Sequence, residues 1–214
     1  MAITQQELRE VKGLCRYETH PKDELIGMVM ELTHSVYSHD KLYGEYCTLQ
    51  AYIDCPPEQA FAYLAKTENL AEWTYSLRDF KLTETKDLYI GKDKVGDNTF
   101  IYCKTVANLA AMTIDYHCAW DQGKDLWMIY LMRVVPAQLV LNKPGCVILW
   151  TNCHHPYYDQ NPYPELAPPG RPWVGQFWDM FFAGHSIELT NLTNILEHRY
   201  KNQVSMTSFP TTGA

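Results

Sequence analysis

Apolar positions alternate with polar ones from Tyr46 to Ile53, then recur every third or fourth residue from Ala60 to Trp73, and the change falls at Pro56-Pro57. A strand has a side-chain period of two and a helix one of about 3.6. The pattern therefore predicts a strand that stops at the proline pair and a helix that begins at once, since proline is tolerated in a first helical turn but not inside a ladder. Phe61 and Leu64 are placed to face a sheet. Asn69, Leu70 and Trp73 put a second short helix beside the first.

Beyond Trp73 the pattern predicts a run of antiparallel strands, at about 76–82, 87–90, 99–106, 112–120, 127–139 and 145–154. Short polar separators carrying glycine, 93–97 and 121–125, and the turn Asn142-Lys143-Pro144-Gly145 divide them. This is a meander and not an alternating parallel pattern. A proline- and tyrosine-rich connection at 156–172 follows, unsuited to a central strand or a continuous helix. From Trp173 to about Tyr200 a single long helix is expected, with Phe181, Leu189, Leu192, Ile195 and Leu196 available to cover the concave sheet. Ahead of the sheet, Thr4 is positioned to cap a short helix through Glu7, and Ile26, Val29, Met30, Leu32, Thr33, Val36 and Tyr37 form the apolar face of a longer one. The expected division is a helical extension over 1–43, a cavity domain over 44–201 and a flexible tail over 202–214.

Two stretches carry a resemblance to a known superfamily: Ile53-Asp54-Cys55-Pro56-Pro57-Glu58-Gln59-Ala60-Phe61-Ala62-Tyr63-Leu64 with Asn69-Leu70 and Trp73, and the terminal Leu189-Thr190-Asn191-Leu192-Thr193-Asn194-Ile195-Leu196-Glu197. Over about 46–200 the chain resembles the START-like superfamily, also called SRPBCC or the Bet v 1-like helix-grip fold. The resemblance implies an α+β class, a curved antiparallel sheet wrapped around a long C-terminal helix, and a ligand-sized cavity beneath that helix. Families with this fold include polyketide cyclases and aromatases, lipid transfer modules, hormone receptors and small-ligand carriers, so it implies a pocket more directly than a reaction. The N-terminal extension and the 156–172 connection depart from the smallest members, and each is expected either to cover the pocket mouth or to make a homodimer contact.

Charge and cysteine content narrow the partners. The 214 residues carry a formal charge of -7 and no Lys/Arg run, which argues against nucleic acid. No apolar stretch is long enough to cross a bilayer and the first residues lack a signal-peptide pattern, so a cytoplasmic setting without membrane insertion is expected. Seven scattered cysteines are expected as free, mostly buried thiols and not as a disulfide framework.

Candidate chemistry concentrates at three places. In the strand 112–120, Thr113, Asp115 and His117 share one face and Met112, Ile114, Tyr116, Cys118 and Trp120 the other. The apolar company of Tyr116 favours the second as the inward face, with Tyr116 as a hydrogen-bond donor to a ligand oxygen. On the terminal helix, His185 and Glu188 interrupt an otherwise apolar stripe at a spacing that places them side by side. Burial there would let Glu188 orient His185 as a proton shuttle. His154 and His155 point to opposite sides of a strand end, so a metal site built from His117, one of these two, His185 and Glu188 has no compact signature, and neither metal nor cofactor is expected.

The leading expectation is a START-like cyclase, aromatase or dehydratase acting by acid-base catalysis on a hydrophobic polyketide-like or related carbonyl substrate, with His185, Glu188 and Tyr116 as catalytic residues. The alternative is a nonenzymatic carrier or sensor of a hydrophobic small ligand in the same cavity. A domain whose interior is filled by its own aromatic side chains is the third.

Overall fold

The structure, a computed structural model, describes residues 4–36 and 46–206. The expected boundary near Tyr43, Tyr37 of the apolar face and most of the expected tail, 207–214, lie outside the described residues, as does the side chain of Val36.

Seven strands form one antiparallel sheet in the order β1-β7-β6-β5-β4-β3-β2. They are β1 (Tyr46–Ile53), β2 (Leu77–Leu82), β3 (Tyr89–Asp93), β4 (Thr99–Asn108), β5 (Thr113–Trp120), β6 (Met128–Pro136) and β7 (Cys146–Cys153). Strand alternation decides which residues turn inward: Ile114, Tyr116 and Cys118 of β5 are buried, whereas Asp115 and His117 lie half-exposed on the outer face. In register, Tyr116 stands opposite Tyr130 of β6 and Cys103 of β4 opposite Cys118. The sheet-facing residues of α3 (Pro57–Leu64), Phe61 and Leu64, are buried as the helical period requires. A 3₁₀ turn at Thr67–Asn69 leads into the single turn α4 (Leu70–Trp73).

The structure departs from the sequence reading in three elements. β3 runs over Tyr89–Asp93 and not 87–90, so Asp93 ends a strand before it turns. β6 ends at Pro136, not near Leu139, because a short helix α5 (Ala137–Leu141) takes the next residues and is stopped by Asn142 at φ 51°. Gly145, at φ 97°, then lets the chain pass so close to β1 that a Cβ would sit 2.5 Å from the carbonyl oxygen of Ile53. The terminal helix α6 (Trp178–Lys201) begins five residues later than expected, after a 3₁₀ turn at Val174–Phe177. In that turn the backbone of Gly175 lies directly on the carbonyl of Tyr158, where any Cβ would overlap the oxygen.

The N-terminal helices α1 (Gln5–Glu10) and α2 (Lys22–Val36) pack on this frame. Thr4 and Glu7 form the anticipated capping box, each side chain taking the other's backbone N–H. A fully buried Asn191 on α6 fastens the segment between the two helices: its Oδ1 accepts from the Cys15 N–H at 2.8 Å, and its Nδ2 donates to the carbonyls of Cys15 and Trp73. About two helical turns further along, Arg199 donates to both carboxylate oxygens of Glu72 at 2.6 and 2.7 Å, and the Tyr63 hydroxyl donates to the same carboxylate at 2.8 Å. Met206, just past α6, folds back into the core with its carbonyl near Asn69.

Candidate ligand cavity

Between the sheet and the first half of α6 lies a cavity of about 570 Å³, a size suited to a small organic molecule. Its inner wall is aromatic. Trp73 and Trp150 meet edge-to-face with ring centroids 5.7 Å apart, Tyr116 packs at 6.3 Å from Trp73, and Tyr130 at 6.4 Å from Trp150. Phe177 and Phe181 approach from the start of α6.

All three residues singled out for chemistry line this space. His185 is enclosed by Trp150, Phe181 and Tyr130, at 4.7, 5.2 and 5.5 Å between ring centroids, and its Nδ1 faces the Cys47 thiol at 3.8 Å. Desolvation holds its pKa down to about 3, so the ring is neutral through the physiological range. Glu188, only 7% exposed, experiences the opposite: burial first, and the nearby Asp93 carboxylate in addition, raise its pKa to about 8 against the lowering effects of the Tyr75 backbone N–H and of Arg78. At neutral pH it is mostly a carboxylic acid. Among the described residues no hydrogen bond joins His185 to Glu188, and Glu188 contributes nothing to the His185 pKa. The side chains share a wall of the cavity without forming the expected pair, because one turns to Cys47 and the other to Tyr75. The Tyr116 hydroxyl donates to the Leu64 carbonyl at 2.6 Å and thereby ties β5 to α3.

The other candidate histidines, His117, His154 and His155, lie apart from this wall. His117 is on the outer face of β5. His154 stacks on Trp178 with centroids 4.6 Å apart and lies 3.2 Å from Asp159, and His155 accepts the Tyr157 N–H through Nδ1. The ligand set weighed from the sequence is thus not brought together. Among the described residues no group of three or more His, Cys, Asp or Glu side chains is arranged to hold a metal ion.

Sequence reasoning missed part of the cavity. Lys22, Ile26 and Met30 of α2, spaced four apart on one helical face, form part of its lining, and so do Arg171 and Pro172 from the end of the proline-rich connection. Both segments therefore border the cavity. Lys22 bridges to Asp97 in the β3–β4 turn at 2.5 Å, and Arg171 pairs with Asp121 while lying over the Trp120 ring. Asp93, read as a turn residue, does accept the Val95 and Gly96 N–H groups through Oδ1, yet it also lines the cavity, and burial raises its pKa. Tyr130 could have been found by extending the inward alternation Met128, Tyr130, Met132 along β6.

A curved antiparallel sheet, a long C-terminal helix across it and a cavity between them define the START-like helix-grip class. An aromatase/cyclase, ZhuI from Streptomyces sp. R1128, superposes with a TM-score of 0.51 at 13% identity, over 75% of this chain and 98% of that one. A START superfamily protein from Mycobacterium smegmatis superposes with a TM-score of 0.47 at 11% identity, over 75% and 99%. An uncharacterized protein from Bacillus thuringiensis gives 0.49 at 13%, over 71% and 98%. Such identities bear on the fold alone. Residues 45–152, just over half of the chain, match the family described as "Domain of unknown function (DUF8713)", and the chain belongs to that family. No curated protein matches the sequence. No helix among the described residues is long and apolar enough to cross a membrane.

Proposed function

We propose that this protein binds a hydrophobic small molecule in the cavity beneath α6, as a carrier or sensor. The observation that carries the reading is the cavity itself: about 570 Å³ of space walled by aromatic rings, with two ionisable side chains on its surface that are not spent on each other. Space of this kind weakens packing, and a fold that keeps it gives up stability that filling would provide. Native mass spectrometry after incubation with two- and three-ring aromatic ketones and alcohols tests it. One-to-one adducts are expected, and they should disappear in Cys118→Phe, which adds a ring to the cavity wall from β5. Adducts that persist undiminished in that variant would place the ligand elsewhere.

A second reading, turnover of a polyketide-like or related carbonyl substrate by a cyclase, aromatase or dehydratase mechanism, is favoured by one feature. Glu188 retains its proton near neutral pH and is therefore a candidate general acid toward a carbonyl or departing hydroxyl. In this reading neutral His185, whose pKa of about 3 makes it a hydrogen-bond partner and not a base, orients the substrate, and Tyr116 acts by holding the wall against which the substrate folds. The fold is shared with an aromatase/cyclase, which shows that it can host such chemistry. Loss of turnover in both His185→Ala and Glu188→Gln, with ligand affinity retained in at least one of them, is the expected result. Full turnover in both would remove these residues from the mechanism.

A further inference from the structure

We propose that the ligand held in this cavity carries a cationic nitrogen, an ammonium or substituted ammonium group, seated between the Glu188 carboxylate and the aromatic wall. The inference rests on the cavity reading above and adds the chemistry of the ligand to it.

Charge pairing around the cavity points this way. Each cation near it already has a partner: Lys22 bridges to Asp97, Arg171 to Asp121, and Arg78 gives two guanidinium nitrogens to Glu18 and a third to the carbonyls of Thr74 and Leu77. Two lining carboxyl groups, Asp93 and Glu188, remain without a bridging side-chain cation among the described residues. Asp93 is partly satisfied by the Val95 and Gly96 N–H groups. Glu188 is more than nine-tenths buried and, among the described residues, takes its hydrogen bond from the Tyr75 N–H. An anionic ligand would meet two acids here, and a neutral one could take at most a hydrogen bond from the Glu188 acid, whereas a cation would draw on its carboxylate as a counter-charge.

The wall supplies the second condition. Trp73, Trp150, Tyr130 and Phe181 present π-systems, whose faces attract a cation and gain strength when water is excluded. His185, standing among these rings, is neutral and does not oppose a positive charge. The groups acting on Glu188 come from several elements: Asp93 at the end of β3, Arg78 on β2, and the Tyr75 N–H before β2.

Protons balance simply. At neutral pH the empty site holds Glu188 as a carboxylic acid, and an ammonium ligand binds by displacing that proton to solvent, which leaves an ammonium–carboxylate pair. Below pH 8, affinity for such a ligand must therefore rise with pH. A neutral ligand that accepts a hydrogen bond from the acid would show the reverse.

Calorimetric titration of the full chain with 2-naphthylmethylamine and its neutral isostere 2-naphthylmethanol, in buffers of different ionisation enthalpy, distinguishes these cases. The amine should bind at least about tenfold tighter than the alcohol at pH 8. Its affinity should rise about tenfold between pH 6 and 7, with close to one proton released per ligand. In Glu188→Gln the preference for the amine should vanish. Equal affinities for the two probes, a pH-independent amine affinity, or a preference that survives in Glu188→Gln would overturn the inference while leaving the cavity reading standing. Binding of neither probe would overturn both. Should the variant fail to fold, the proton count in the unaltered protein still decides.

Discussion

The two halves of α6 bury polar groups in opposite ways. In the C-terminal half, Arg199 is fully buried against Glu72 and Tyr63, and Asn191 is saturated by the backbone of Cys15 and Trp73. Leu192, Ile195 and Leu196 beside them are fully buried. In the N-terminal half, His185 and Glu188 are nearly as buried, yet they border a void and, among the described residues, have no bridging counter-charge. A buried charge is tolerated when a counter-charge and hydrogen bonds surround it, and otherwise it shifts its pKa and gives up its charge. The C-terminal half follows the first course and the N-terminal half the second. Burial alone therefore does not separate framework from site. What each buried group faces does: in one half of α6 a counter-charge or backbone partners, in the other a void.

Four substitutions probe that contrast, beginning with the largest expected effect. Glu72→Ala leaves the Arg199 guanidinium buried without its counter-charge and should lower the unfolding free energy by about 3–5 kcal/mol in urea denaturation. Asn191→Ala removes three hydrogen bonds that join α6 to the N-terminal segment and to α4, and should cost about 2 kcal/mol by the same measurement.

Glu188→Gln acts through pH instead. Because the folded pKa of Glu188, about 8, lies above its ordinary 4.5, the folded state holds the extra proton between those values, and stability falls as pH rises through that window. For His185 the folded pKa of about 3 lies below 6.5, so its contribution grows with pH from 3 to 6.5 and is constant above. From pH 6.5 to 8 only the Glu188 decline remains, at most about 1.4 kcal/mol per pH unit. Stability curves of the parent chain and Glu188→Gln should diverge in that interval, with the variant flatter; parallel curves would show that Glu188 is charged in the folded state. Lys22→Ala, which breaks only an exposed bridge, should move the melting temperature by no more than about 2 °C.

Much of the frame was legible because its periods are simple. Alternation alone turned Tyr116 inward and His117 outward, and the helical stripe put His185 and Glu188 under α6. Local chemistry misled where two elements of similar composition adjoin: the run through Val134, Val135, Pro136 and Ala137 reads as one apolar strand, although the chain turns into α5 after Pro136. Relations between elements were not legible. Helical spacing brings His185 and Glu188 to neighbouring positions, but the Cys47 thiol and the Tyr75 N–H, from distant parts of the chain, draw them apart. The lining contributed by Ile26 and Met30 likewise depends on how α2 docks, which a pattern within α2 cannot encode.

The hydrogen bonds from Asn191 to Cys15 span 176 positions of chain. During synthesis, residues near Cys15 leave the ribosome long before their partner exists, and at about 5–20 residues per second that delay lasts on the order of ten seconds or more. β1 waits similarly for β7. The segment at Cys15 and the strand β1 are thus completed only by partners far later in the chain. Assembly must pass through a period in which the aromatic wall is open to solvent, so the nascent chain is at its most vulnerable to aggregation just before α6 arrives.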